Sequence, residues 1–82
     1  MLKLEIITPE KKVLSEEVSS LIIPDNQGGE MGILPQHAAL VTLTQGGVLT
    51  YDKAGVEVSM EIGSGIIEVS EDTVNILVAK VG

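Results

Sequence analysis

An all-β sandwich is the fold class this sequence predicts, and three observations carry the prediction. Apolar residues recur with period two along most of the chain, the spacing of a strand that buries one face and wets the other. Clusters of Gly, Pro, Asn and Asp fall between these runs at short intervals, as turns do in all-β domains. Helical periodicity is not sustained over any segment. Two packed antiparallel sheets of about nine or ten short strands are the simplest arrangement that covers the apolar faces.

The first strand is expected over 2–7, where Leu2, Leu4 and Ile6 alternate with Lys3 and Glu5. Thr8-Pro9-Glu10 breaks that run, because proline presets φ for a turn. Strands over 12–15 and 18–24 come next, and the second contains Leu21-Ile22-Ile23, apolar on both faces. The stretch from Pro24 to Gly29 is a polar turn, and strands over 30–34 and 38–44 flank Pro35-Gln36-His37. Gln45-Gly46-Gly47 leads into a strand over 47–52, and Lys53-Ala54-Gly55 into one over 55–61, where Val56, Val58 and Met60 alternate with Glu57, Ser59 and Glu61. Strands over 65–70 and 73–80, joined at Glu71-Asp72, complete the set; Ile76-Leu77-Val78-Ala79 is again apolar on both faces. One face of such a strand belongs in the core. The other lies at a sheet edge, under a loop or against a partner, since large exposed apolar patches mark interaction sites.

Composition excludes several function classes. The chain has 82 residues, enough for one modest core. It has no cysteine, so neither disulfides nor a thiolate-bound metal supplement that core, which fits a reducing compartment. A formal charge of −7 with only five Lys or Arg argues against nucleic-acid binding. Tyr51 is the sole aromatic residue, which leaves no stacking platform or aromatic cage. The alternating start Met1-Leu2-Lys3-Leu4-Glu5 lacks the unbroken apolar region of a secretory leader, and no apolar run is long enough for a membrane helix.

The stretch Gly28 to Leu40, GGEMGILPQHAAL, holds the only histidine. No catalytic site can be built on His37, because no nucleophile elbow accompanies it and a zinc site needs several ligands. Gly63-Ser64-Gly65 is succeeded by Glu68 where a dinucleotide fingerprint needs its third glycine. Asp25, Asn26 and Glu30 supply too few oxygens for a calcium loop. Glu16-Glu17 and Glu68, Glu71 and Asp72 are expected to be solvated strand ends, and His37 to make a local hydrogen bond where a loop meets a strand. Catalytic residues, cofactors and metals are therefore all expected to be absent. Gly28, Gly29 and Gly32 point instead to a tight connection with unusual backbone angles, Pro35 fixes the chain ahead of His37, and Ala38-Ala39 permits close approach of another surface. The stretch has the make-up of a docking element.

Specific motifs here resemble a known family. Thr8-Pro9-Glu10 is similar to its first turn, and Gly29-Glu30-Met31-Gly32-Ile33-Leu34-Pro35-Gln36-His37-Ala38 resembles its GE(F/L)GILPGHAP loop, with Gln36 where glycine is usual and Ala39 where proline is frequent. Gly46-Gly47-Val48-Leu49 resembles PGVL, and Gly63 to Val69 with Val74 to Ala79 resembles SGGFLEV and VTVLAD. The family is the ε subunit of the F-type ATP synthase, called δ in mitochondria, specifically its N-terminal β-sandwich. The resemblance implies a non-catalytic rotor part that grips the γ subunit and rests on the ring of c subunits, coupling ion translocation to ATP synthesis. It places Glu30, with Met31 and Gly32, at the c-ring and Thr8, His37 and Thr42 at γ. It implies a peripheral location on the cytoplasmic face of an energy-transducing bacterial inner membrane, or the equivalent organelle face, with membrane association only through the complex. Typical bacterial members continue into two helices that restrain ATP hydrolysis and sometimes bind ATP. With the chain stopping at Gly82, that hairpin and its activities are expected to be absent. The rival reading is a small ligand-binding β domain, which would require a concave pocket with convergent polar groups.

Overall fold

The computed structural model describes all 82 residues. Nine strands form, and no helix: β1 (Leu2–Ile7), β2 (Lys12–Val18), β3 (Ser20–Pro24), β4 (Glu30–Ile33), β5 (Leu40–Thr44), β6 (Gly47–Lys53), β7 (Val56–Ile62), β8 (Gly65–Ser70) and β9 (Thr73–Val78). They make a five-stranded sheet in the order β2-β1-β9-β8-β5 and a four-stranded sheet in the order β4-β3-β6-β7. The sandwich read from the alternation is thus the fold found. All ladders are antiparallel except one: β1 and β9 run parallel, with Lys3 opposite Thr73 and Ile7 opposite Leu77.

The alternating residues meet between the sheets. Leu2, Leu4, Ile6, Ile67, Val74 and Ile76 of the larger sheet face Leu21, Ile23, Ile33 and Leu49 of the smaller, all essentially inaccessible to water. Each such side chain contributes roughly 1.5–3 kcal/mol by leaving water. Tyr51 is the one aromatic ring in this aliphatic core.

Several boundaries differ from the sequence-based expectation for identifiable reasons. The second strand runs on to Val18 instead of stopping near residue 15, because β2 is a sheet edge, where charged residues sit comfortably. Glu16 and Glu17 therefore lie inside a strand, and Glu16 is ion-paired with Lys53 at the end of β6, spanning the flank of the sandwich. The third strand starts at Ser20 because Ser19 forms the corner between sheets: its N–H and hydroxyl both donate to the Asp52 carbonyl, at 2.8 and 3.1 Å. The last strand ends at Val78, after which the Lys80 carbonyl accepts from Gly63 N–H at 2.9 Å and Val81 bridges Ile62. The chain there leaves one sheet for the other.

Glu5, on the outer face of the five-stranded sheet, accepts a hydrogen bond from Ser15 at 2.9 Å and pairs with Lys12 at 3.2 Å and Lys3 at 3.7 Å. The Ser15 hydroxyl first, and then Lys12, hold its carboxyl below the usual carboxylate value. A depressed folded-state pKa stabilises the fold above the unfolded-state value, and that contribution is lost as pH falls through the folded value. Removing the hydroxyl by Ser15→Ala is expected to shrink this acid-side loss of stability, which thermal melts between about pH 3 and pH 6 would register.

Candidate functional site

The outward face of the five-stranded sheet is read from its register. Ile7 of β1 is opposite Leu77 of β9, Leu77 is opposite Ile66 of β8, and Ile66 is opposite Leu43 of β5. Side chains on neighbouring strands sit about 4.8 Å apart, so these four form one apolar row across the sheet. Leu77, Ile66 and Leu43 are 42, 43 and 55 % exposed, far too open for core positions. Beside it runs a mixed row, Glu5–Asn75–Glu68–Val41, and Val41 is itself exposed. Two open depressions flank the row. One, of about 430 Å³, includes Val41, Glu68, Ser70 and Asn75; the other, of about 320 Å³, includes Ile7, Pro9 and Leu77.

The four-stranded sheet presents a weaker face. Ile22 there lies between Gly32 and Thr50, and Thr50 shares a hydrogen bond of 3.0 Å with Ser59. The two runs that are apolar on both faces thus send Ile22 and Leu77 outward, but only Leu77 joins a continuous row.

The segment between β4 and β5 is held by the neighbouring turn at the same end of the five-stranded sheet. Asp72, in the turn joining β8 to β9, accepts the Gln36 N–H at 2.6 Å through a carboxylate oxygen, while its own carbonyl accepts the Lys3 N–H at 2.8 Å. One residue thereby fixes the loop to the sheet by a charge-assisted bond. His37 is half-buried and bonds locally, with Nδ1 2.8 Å from the Ala38 carbonyl oxygen and its backbone N–H donating to the Leu34 carbonyl at 3.2 Å. This is the junction role foreseen for it.

The residues assigned to γ by resemblance are spread along the sheet. Thr8 is buried, and its hydroxyl donates to the Lys11 carbonyl at 3.2 Å, closing the β1–β2 turn. It lies at the Ile7–Leu77 end, whereas His37 lies off the opposite end, beside the Asp72 turn. Thr42 is half-buried on edge strand β5, opposite core residue Ile67, so it points inward while Val41 and Leu43 point out. Those two outward neighbours are functional candidates that sequence reading missed.

Glu30 belongs to the other sheet. It opens edge strand β4, exposed, opposite Pro24. The preceding turn is organised by Asp25, whose carboxylate accepts from Gln27 N–H and Gly29 N–H, both at 2.8 Å. This is the polar turn expected from the sequence, built on one aspartate. Met31 leans on the core, and Gly32 lies within the strand with open space where a Cβ would stand. Of the three glycines expected to have unusual angles, only Gly28 has positive φ, at 85°. Gly29 and Gly32 do not, because the tight part of the connection ends at the Asp25 turn and β4 takes over.

Comparison with known proteins settles the family. The family described as "ATP synthase, Delta/Epsilon chain, beta-sandwich domain" matches residues 1–81. The chain belongs to this family. It is 48 % identical over 77 residues to the "ATP synthase epsilon chain" of Citrifermentans bemidjiense, covering 94 % of this chain and 55 % of that relative. The protein of the same description from Sulfurovum sp. is 39 % identical over 79 residues, covering 95 % and 61 %. The chain thus spans little more than half the length of these relatives. Among solved structures, a chain of the "Euglena gracilis mitochondrial ATP synthase, OSCP/F1/c-ring" superposes with a TM-score of 0.89 at 25 % identity, covering 99 % of this chain and 52 % of that one. One from the Tetrahymena thermophila "mitochondrial ATP synthase - central stalk/cring" superposes with a TM-score of 0.80 at 18 % identity, covering 99 % and 65 %; it supports the fold.

The family pattern sharpens one position. Gln36, at the position where the loop motif it resembles has glycine, has φ of +66°. A side chain in that region costs on the order of 1 kcal/mol. Gln36→Gly is therefore expected to raise stability by about 0.5–1 kcal/mol, less the added freedom of the unfolded chain, with the Asp72 bond retained. Urea melts of the two chains would check it, and a loss of stability would contradict the strain.

Proposed function

We propose that this chain is the sandwich of a central-stalk subunit of an F-type ATP synthase, a non-catalytic rotor part that binds the γ subunit and touches the c-ring. The observation that carries the proposal is the apolar row Ile7–Leu77–Ile66–Leu43, because aliphatic side chains left open to water across neighbouring strands are costly in solution and favourable under a partner. The family relation and the superposition on a chain of the Euglena gracilis OSCP/F1/c-ring complex support the choice of partners.

On this reading γ covers the outer face of the five-stranded sheet, with Thr8 and His37 at its two ends and Thr42 on its rim. Glu30, Met31 and Gly32, on the other sheet's edge, meet the ring. Two separate contact regions suit a part that passes rotation from the ring to the stalk. The complex would hold the chain on the cytoplasmic face of an energy-transducing membrane, or the equivalent organelle face, and ion flow would be coupled to ATP synthesis mechanically.

Calorimetric titration of the chain with purified γ tests the first contact. One-to-one binding is expected, and a folded chain that does not bind would overturn the proposal. For the second, Glu30→Lys in a reconstituted complex is expected to lower ion-driven ATP synthesis several-fold with γ binding unchanged, since an exposed charge reversal leaves the fold intact. Unaltered coupling would remove Glu30 from the contact.

A further inference from the structure

Resting on the γ-binding reading above, we propose that the depression beside the apolar row receives one arginine side chain of γ, with Glu68 as its anion.

Two acids in the same row are unequally neutralised. Glu5 and Glu68 both point outward from the five-stranded sheet, on either side of Asn75. Glu5 is neutralised within the chain by Lys12 and Lys3, and Ser15 bonds it as well. Glu68 has no cation within 4.0 Å; the ion pairs are those of Glu5 and the Glu16–Lys53 pair. Lys3, the nearest basic residue on a neighbouring row, stands two strands away on β1 and is engaged with Glu5. The adjoining β8–β9 turn adds only two more acids, Glu71 and Asp72.

In the free chain this asymmetry is harmless, because water solvates Glu68. Under a partner it is not. Glu68 is flanked by Ile66 on its own strand and Val41 on β5, so a surface that covers the apolar row also covers the carboxylate. Burying an unpaired carboxylate costs several kcal/mol, enough to cancel much of the gain from the row. A partner that fits this face must bring a positive charge to this one point, and no second point on the row demands one.

The surroundings favour a guanidinium over an ammonium. The depression of about 430 Å³ is walled by Ala39, Leu40 and Val41 on one side and by Glu68, Ser70 and Asn75 on the other. An apolar wall suits the long stem and flat faces of an arginine, and a carboxylate beside an amide oxygen and a hydroxyl offers several acceptors to its planar fork of donors. A lysine would use one acceptor and keep more of its hydration.

The test measures the affinity of the chain for purified γ across a range of salt concentrations, for the parent and for Glu68→Gln, with thermal melts of both. Glu68→Gln keeps the shape and is expected to bind about ten-fold more weakly, with a flatter salt dependence. Each arginine of γ is then changed to methionine in turn. A single one of these changes is expected to be non-additive with Glu68→Gln, the second substitution costing less than about two-fold once the first is present. Equal affinity and salt dependence for the parent and Glu68→Gln would overturn the inference while leaving γ binding in place. Additivity of Glu68→Gln with every one of these arginine changes would overturn the guanidinium assignment. No binding of the parent chain would overturn the γ reading, and this inference with it.

Discussion

The Leu77→Arg chain is expected to bind γ on the order of 100-fold more weakly than the parent while melting within a few degrees of it. Leu77 stands at the middle of the apolar row, between Ile7 and Ile66, so any surface that covers the row must cover it. Truncating or charging a central contact carries the largest penalties at interfaces, because the charge interrupts the apolar row and has to be desolvated with it. The fold tolerates the change because the side chain is already 42 % exposed and can extend into water. Val56→Arg, at a 61 % exposed position on edge strand β7 of the other sheet, serves as the control and is expected to bind normally. Retained tight binding by Leu77→Arg would remove this face from the γ contact.

Gly65→Ala is expected to cost about 3 kcal/mol or more, the largest stability loss for so small a change. A Cβ at Gly65 would lie 2.0 Å from the Leu77 carbonyl oxygen and 2.8 Å from Val78 Cα. Both are backbone atoms of the paired strand β9, so no side chain can swing aside; the β8–β9 ladder itself has to part. The constraint is space rather than torsion, since Gly65 is not among the residues of positive φ. Gly55→Ala makes the contrast: Gly55 has φ of +81° and open space around it, and its substitution is expected to cost only about 1 kcal/mol. Urea midpoints of the two variants would rank them. A Gly65→Ala chain as stable as Gly55→Ala would mean that the strands do not approach so closely.

Strands and inward faces were legible in the amino-acid order, whereas the contacts that join distant strands were not. Alternation in Leu2-Lys3-Leu4-Glu5-Ile6 and in Val74-Asn75-Ile76 marks strands directly, because side chains on a strand alternate by geometry alone. Core membership came with that alternation. The apolar row did not, since Ile7, Leu43, Ile66 and Leu77 become neighbours only through the strand order β1-β9-β8-β5, which no local pattern encodes. The apolar run at Leu77 announced a residue needing cover, without naming its companions. Thr42 illustrates the reverse: resemblance put it at an interface, while the pleat turns it inward and presents Val41 and Leu43. The Asp72 bond to Gln36 spans 36 positions and was equally invisible, although the turn and the loop it joins were each foreseen.

The parallel ladder between β1 and β9 carries a consequence for biosynthesis. A strand in mid-sheet needs a neighbour on both sides, and β1 finds one of its two only when Thr73 to Leu77 have been made. At roughly 5–20 residues per second, the nascent chain spends several seconds with β1 and β2 emerged and one long backbone edge unsatisfied. The ribosome therefore releases a hairpin that cannot close its sheet, and completion of the sandwich is a late event, tied to the arrival of the last strand.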